Sequence, residues 1–431
     1  MQTFTEQPTT KEHVMIQFSP WQYLMIDVAN HFGHDKLLFE ERIEWAQSNL
    51  KDLEAMTDQA ETKPLYVKAV QAVRKVQNGE VTGHIMGLDA SCSGIQVMSA
   101  MTGCVAGATN TGLVNPSLRA DAYSTCTDEM NTILGGTLEV PRRDAKAALM
   151  TTMYGSKKTP KDIFGDKTPA LEAFYQAAQI VAPGAWQLLQ ELLASWQPYA
   201  LVHEWKLPDG FDARVKVMEK QEARIEVDEL DHATFTYEYY ENVGSKRGLS
   251  NAANVVHSVD AYVLRCIHRR CNYNPLILHF AHEAIMFELD QRANTNQTSI
   301  AVDGKIQGTQ FHYYIQQYER SGMADVVILP ELLGEDAVWY LSTKHLEALD
   351  RICRRMKEHA PFEVITIHDE FKCSPVNMNH LRQHYIDVFA EIADSRILED
   401  ILSQIHGMPG SYTKLSNNLS TLIRGSNYGL C

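Results

Sequence analysis

Residues 84–96 read HIMGLDASCSGIQ, and the position of their single carboxylate frames the reading of the whole chain. Gly79 to Gly83 is a break, and His84 to Leu88 then reads as a short buried strand ending at Asp89. Small residues follow, from Ala90 to Gly94, before Ile95 and Gln96. A carboxylate at a strand end can hold a metal, and small residues after it let the backbone approach a ligand closely. Alone the signal is weak, because an aspartate after a strand is more often a helix N-cap.

Two further segments carry chemistry. Pro141 suits the first turn of a helix running to Met153. On it Arg142, Lys146 and Met150 recur at spacings of four, with Tyr154-Gly155 next, which places them along one stripe. Two cations on one stripe suit a triphosphate, with the tyrosine meeting a sugar or base. A solvated basic face with Met150 and Tyr154 in the core is the other reading. Gly155-Ser-Lys-Lys-Thr159 is not a phosphate-binding loop, since the earlier glycine of that motif would fall at Met150. The other segment is ITIHDEF, residues 365–371. An apolar strand delivers His368, Asp369 and Glu370 into a tight turn, where buried carboxylates are costly unless paired or metal-bound. An ordinary acidic hairpin tip is the alternative. A His–Asp metal phosphohydrolase needs further His and Asp clusters that are not evident.

Outside these segments, helical periodicity runs through 20–77, 117–134, 171–196, 249–270, 346–359 and 378–405. Gly135-Gly136 stops the second, and Pro183-Gly184 breaks the third. Residues 201–240 alternate as strands do. Residues 287–345 are polar and mixed, and 1–13 read as a polar, flexible lead.

The 431 residues are 45% hydrophobic and 22% charged, enough for a sizeable core in two or three subdomains. With 24 Gly, 15 Pro and 9% aromatics, the chain is neither disordered nor fibrous. A net charge of −15 argues against a uniformly basic nucleic-acid coat but permits a local basic cleft. Basic runs for such a cleft are Arg142-Arg143, Lys157-Lys158 with Lys161, Lys246-Arg247, Arg269-Arg270 and Arg354-Arg355 with Lys357. The eight cysteines form no CxxC pair, so neither a zinc ribbon nor a disulfide framework is suggested, and a reducing compartment is the simple reading. No signal peptide opens the sequence, and the most apolar window, Ile85 to Ala108, carries Asp89 and several glycines, so no membrane partner is expected.

Taken together the three segments resemble motifs A, B and C of the single-subunit, phage- and mitochondrial-type RNA polymerases. The residues are 89–101 (DASCSGIQVMSAM), 142–157 (RRDAKAALMTTMYGSK) and 367–371 (IHDEF). Asn254-Val-Val-His257-Ser-Val-Asp260 resembles a fourth segment of that family, and 203–211 (HEWKLPDGF) a weaker fifth. The resemblance implies an α+β right-hand fold: an antiparallel palm sheet, abundant helices, and a fingers helix that approaches the nucleotide. Residues 1–118 would hold N-terminal helices and the first part of the palm, 119–257 the fingers, and 258–431 the second part of the palm with an insertion at about 280–345.

It further implies template-directed transfer of nucleotides from NTPs to an RNA 3′-hydroxyl, with two Mg²⁺ ions held by Asp89, Asp369 and the carbonyl of Ala90. Arg142 and Lys146 match the cations that grip the phosphates, Tyr154 and His257 the groups near the ribose, and His368 the motif C neighbour of Asp369. Met150 would lie near the base, Gly155 near the template, and Gly94 and Gln96 in the substrate site. A DNA polymerase of family A shares the Arg/Lys/Tyr-Gly helix, and the Glu370 triplet is closer to its pattern. It places a bulky glutamate where this chain has Ser93-Gly94-Ile95-Gln96, so RNA synthesis is favoured. A catalytically inactive polymerase-like assembly subunit is the non-enzyme alternative.

Within the family, the chain resembles the larger subunit of heterodimeric middle-transcription RNA polymerases of certain bacteriophages. That implies a second small subunit supplying the thumb, the N-terminal elements and an Asp-x-x-Gly-Arg segment that residues 1–20 do not contain. It also implies template DNA and an RNA–DNA hybrid as partners, a phage single-stranded-DNA-binding factor for promoter opening, and the cytoplasm of an infected bacterial host.

Overall fold

The computed structural model describes residues 15–246, 248, 250–295, 297–334 and 336–431. The polar lead at 1–13, Arg247 of one basic run and the expected helix start at Leu249 lie outside the described residues. In chain order the helices are α1 Pro20–Ala29, α2 Phe39–Ser48, α3 Lys63–Gln77, α4 Ser93–Thr102, α5 Val105–Asn110 and α6 Ala122–Leu134. They continue with α7 Arg142–Thr152, α8 Lys158–Phe164, α9 Pro169–Val181, α10 Pro183–Ala194, α11 Ser250–Cys271 and α12 Pro275–Thr295. Last come α13 Gln310–Ser321, α14 Thr343–Met356, α15 Met378–Asp394, α16 Ile397–His406 and α17 Leu419–Arg424. The strands are β1 Met86–Asp89, β2 Val202–Lys206, β3 Asp212–Lys216, β4 Glu219–Val227, β5 Ala233–Glu241, β6 Ile365–Ile367 and β7 Glu370–Cys373.

Local chemistry sets several boundaries. Ser19 and Gln22 close a capping box on α1, with Pro20 in its first turn. Asp121 caps α6 through the amides of Tyr123 and Ser124, and Gly135 ends it in the left-handed conformation. The break within 171–196 falls at Ala182, between α9 and α10, each opening on a proline. No helix among the described residues is long and apolar enough to cross a membrane. All eight cysteines are free.

A three-stranded antiparallel sheet, β1-β7-β6, lies at the centre of the chain's chemistry. In β1–β7, Met86 faces Cys373, Gly87 faces Lys372, Leu88 faces Phe371 and Asp89 faces Glu370. Alternation puts Met86, Leu88, Phe371 and Cys373 into the core, while Gly87, Asp89, Glu370, Lys372, Ile365 and Ile367 share the outer face. β6 and β7 are joined by the two-residue turn His368-Asp369, with His368 at φ 56°. On the far side of β1, the Asp89 amide donates to the Cys431 carbonyl and the Cys431 amide donates back, at 3.3 and 2.9 Å. That pairing is absent from the sequence reading, which leaves an irregular tail after Ile405.

One large core unites residues from Phe18 to Cys431 and carries this sheet on its surface. A second, smaller core runs from Leu278 to Met356, built by α12, α13 and α14 and the short 3₁₀ turns between them. The stretch 287–345, read from sequence as mixed and weakly patterned, is therefore largely helical. Its apolar residues cluster among Val326–Leu333 and Ala337–Tyr340 rather than along long amphipathic repeats.

Candidate active site

Asp89 does not cap a helix. Cys92, at φ 63°, occupies the position before α4 and makes no side-chain cap, so the N-cap reading of Asp89 fails. The aspartate stands instead at the end of β1, opposite Glu370 and one residue from the Ala90 amide, which donates to the Asp369 carbonyl at 3.1 Å. Glu370 folds back over Gly87, where any Cβ would sit 2.2 Å from its carboxylate, and pairs with Lys372 at 2.8 Å. A side chain at Gly87 would require that carboxylate to move.

The remaining acids are poorly compensated. Asp89 reaches solvent at its edge, yet partial burial, then the charges of Glu370 and Asp369, push its carboxyl up to about 6. Asp260, on α11, is pushed up to about 6 by burial and then by Asp369, against a hydrogen bond with Ser93. These carboxylates offer the hard oxygens that a divalent cation such as Mg²⁺ prefers, while the group of three whose ligand atoms all lie within 4.8 Å of one another among the described residues is Glu226, Asp228 and His232, at the end of the β4–β5 ribbon. Asp260 escaped the sequence reading as a site residue, although its i, i+3 spacing from His257 on a helical stretch could have flagged it.

α4 and α7 bring up the other side. Tyr154 does not continue the α7 stripe, because the helix ends at Thr152. The turn that follows uses Gly155 at φ 96° and sends the Tyr154 ring towards α4. A Cβ at Gly94 would lie 2.4 Å from its hydroxyl, so the space that the sequence reading leaves open beside Gly94 is filled by Tyr154. The Tyr154 ring meets His257 of α11 at 4.6 Å between centroids, tilted by 44°. Burial, then Asp260, Cys92 and Asp369, raise the Tyr154 hydroxyl above its ordinary value, so it stays a neutral donor.

Arg142, Lys146 and Met150 do share one accessible face of α7. Arg142 is held by Asp121, at 2.5 and 2.9 Å, and by the Ser124 hydroxyl at 3.0 Å. Lys146 makes no ion pair among the described residues, and its ammonium lies 5.4 Å from the centre of the Tyr123 ring. Tyr123 in turn hydrogen-bonds the Cys92 thiol, which burial pushes up to about 11, and its own hydroxyl is raised by burial and by charges that include Asp369. Tyr123, Asp121 and Cys92 therefore join the group, and nothing in the spacing of the sequence marked the first two.

Two expected residues stand apart. Gln96 has no exposed surface, and its amide is spent inside the protein. Its nitrogen donates to the carbonyls of Thr111 and Gly429 at 2.8 and 2.9 Å, and its oxygen accepts from the Tyr385 hydroxyl at 2.5 Å. It is a strut of the core, not a surface that a substrate can reach. Met150 is 44% exposed on α7. Most basic runs are also committed. Arg269 pairs with Asp209 and Asp325, Arg270 is buried on Glu391, and Arg354 and Arg355 pair with Asp350, Asp387 and Glu358. Asp209 belongs to the 203–211 segment and fastens its hairpin to α11 through Arg265 as well.

A family model described as DNA-dependent RNA polymerase matches residues 16–164. The matched segment contains Asp89, Gly94, Arg142, Lys146 and Tyr154 and ends before His257 and Asp369. It supports a DNA-dependent RNA polymerase domain over those residues, at the level of the family. Comparison with curated protein sequences gives no match.

Proposed function

We propose that the chain is the catalytic subunit of a DNA-directed RNA polymerase, with the β1-β7-β6 sheet as palm and the α6–α10 region as fingers. The observation that carries this reading is the backbone tie between Ala90 and Asp369, which sets two aspartates distant in sequence on one sheet. Asp89 and Asp369, with the Ala90 carbonyl, would hold two Mg²⁺ ions, which when bound activate the RNA 3′-hydroxyl and neutralise the triphosphate. Lys146, free of any carboxylate among the described residues, binds the phosphates and is placed to give a proton to departing pyrophosphate. Arg142, fixed by Asp121, orients the same phosphates without first being ordered. Tyr154, kept neutral and seated on Gly94 beside His257, presents its hydroxyl to the sugar.

Gly94 is where a family A DNA polymerase would carry its blocking glutamate. Here that side chain is absent and the Tyr154 hydroxyl occupies the place of its first carbon, and the missing glutamate is what supports ribonucleotides over that alternative. Resemblance to the heterodimeric phage enzymes supports a second polypeptide as partner. The test compares GTP with dGTP incorporation on a primed template, using the chain alone and with the product of the adjacent gene. Preference for dGTP would establish a DNA polymerase. Equal rate and processivity with and without the second protein would make the chain self-sufficient.

A further inference from the structure

β4 and β5 form a two-stranded ribbon in which no residue of either strand is buried. A lone hairpin is marginal in water, so its sequence must serve something besides its own stability. The register sets Ile225 against Phe235, Ala223 against Tyr237 and Gln221 against Tyr239, all on one face. Phe235 is 48% exposed and Tyr237 46%, and the Tyr237 and Tyr239 rings lie 5.8 Å apart. The opposite face carries Tyr240, 65% exposed, among polar residues that pair with one another, Lys220 with Glu238 and Arg224 with Thr234. Four aromatic residues left in the open on one two-stranded ribbon, three of them adjacent on a single face, mark an interface.

Charge selects the occupant. Residues 219–241 hold eight carboxylates against Lys220 and Arg224, a net of −6. A nucleic-acid strand would meet repulsion here, although aromatic rings can stack bases. A second copy of the chain would bring the same −6 on a body of −15. We propose that the ribbon is a docking surface for a basic polypeptide. The partner's apolar side chains would cover Ile225, Phe235, Tyr237 and Tyr239, and its Lys and Arg residues would meet the surrounding carboxylates. β5 leads through residues 242–249 into α11, which carries His257 and Asp260, so the partner would sit on the segment that enters the candidate active site.

The inference concerns binding and stands whether or not the chain makes RNA. The probe is a fluorescein-labelled peptide alternating lysine and valine, titrated with the full chain at about 0.15 M salt and read by anisotropy. A glutamate–valine peptide and a random single-stranded DNA of similar length serve as comparisons. Phe235→Thr/Tyr237→Thr/Tyr239→Thr keeps charge and strand propensity while removing the aromatic face. Glu222→Gln/Glu229→Gln/Glu241→Gln keeps the face and removes charge. Both should weaken the lysine–valine peptide by at least about tenfold, with thermal melts unchanged. Equal binding by wild type and the threonine variant overturns the proposal. So does DNA binding that the threonine variant abolishes, or a wild-type dimer that it disperses.

Discussion

The Ala90 amide donates to the Asp369 carbonyl across 3.1 Å, and the residue on each outer side, Asp89 and Glu370, faces its counterpart in the β1–β7 register. This one bond determines how far apart the two aspartates can lie. Asp89→Asn or Asp369→Asn should leave the bond and the sheet intact, since backbone groups make it. Nucleotide addition on a primed template with Mg²⁺ should fall by at least about 10²–10³, the scale of losing a key electrostatic group. Near wild-type synthesis by either variant would remove the pair from the chemistry.

Tyr154→Phe should weaken ribose selection more than rate. The hydroxyl lost is the group seated on Gly94, and a hydrogen bond of that kind is worth about 0.5–1.5 kcal/mol. The GTP to dGTP incorporation ratio should fall several-fold. Gly94→Ala should reproduce the effect by a different route, because its Cβ would sit 2.9 Å from the ring carbon as well as 2.4 Å from the oxygen. It should also cost about 1–3 kcal/mol of stability through overpacking. An unchanged ratio in both variants would take Tyr154 out of sugar selection.

Asp260 gives a pH-dependent signature in the metal-free chain. Its folded carboxyl is raised to about 6, above the ordinary value of 3.8, so the folded state holds the proton more tightly than the unfolded one. Its contribution to stability is therefore present at low pH and is lost as pH rises through 6. Asp260→Asn keeps an acceptor for Ser93 and removes the charge. At pH 7.5 the variant should melt above wild type, and the gap should narrow to about half at pH 5 and close below about pH 4. A gap that stays constant between those pH values would show that Asp260 is not strained by Asp369.

The strand ending at Asp89, the hairpin around Asp369 and the α7 cations are legible in the sequence itself. They follow from apolar runs, a proline and spacings of four, all of which are local signals. What the sequence hides is long-range. Spacing alone puts Tyr154 on a helical stripe, but the helix stops at Thr152 and Gly155 redirects the ring. Tyr123 and Asp121 reach the site only because α6 packs beside α7, which no periodicity encodes. The pairing of Cys431 with Asp89 joins distant parts of the chain, and the tail carries no strand pattern of its own. The helix at 275–295 escapes sequence reading because charged and aromatic residues are spread around it, so no clean apolar stripe marks it.

Gln96 separates a structural role from a substrate role most cleanly. Its amide bridges three parts of the core: Thr111 after α5, Gly429 beside the segment that pairs with β1, and Tyr385 on α15. Gln96→Leu has similar volume and can satisfy none of them. Two carbonyls and one hydroxyl would be left without this partner in a fully buried place, and each such group costs about 1–3 kcal/mol. The variant should lose several kcal/mol of stability in urea unfolding, through a lower midpoint with a similar slope. Measured at a temperature where it remains folded, its GTP to dGTP ratio should match wild type, because Tyr154 and Gly94 are untouched. A collapsed ratio with unchanged stability would return Gln96 to the substrate site and contradict its burial.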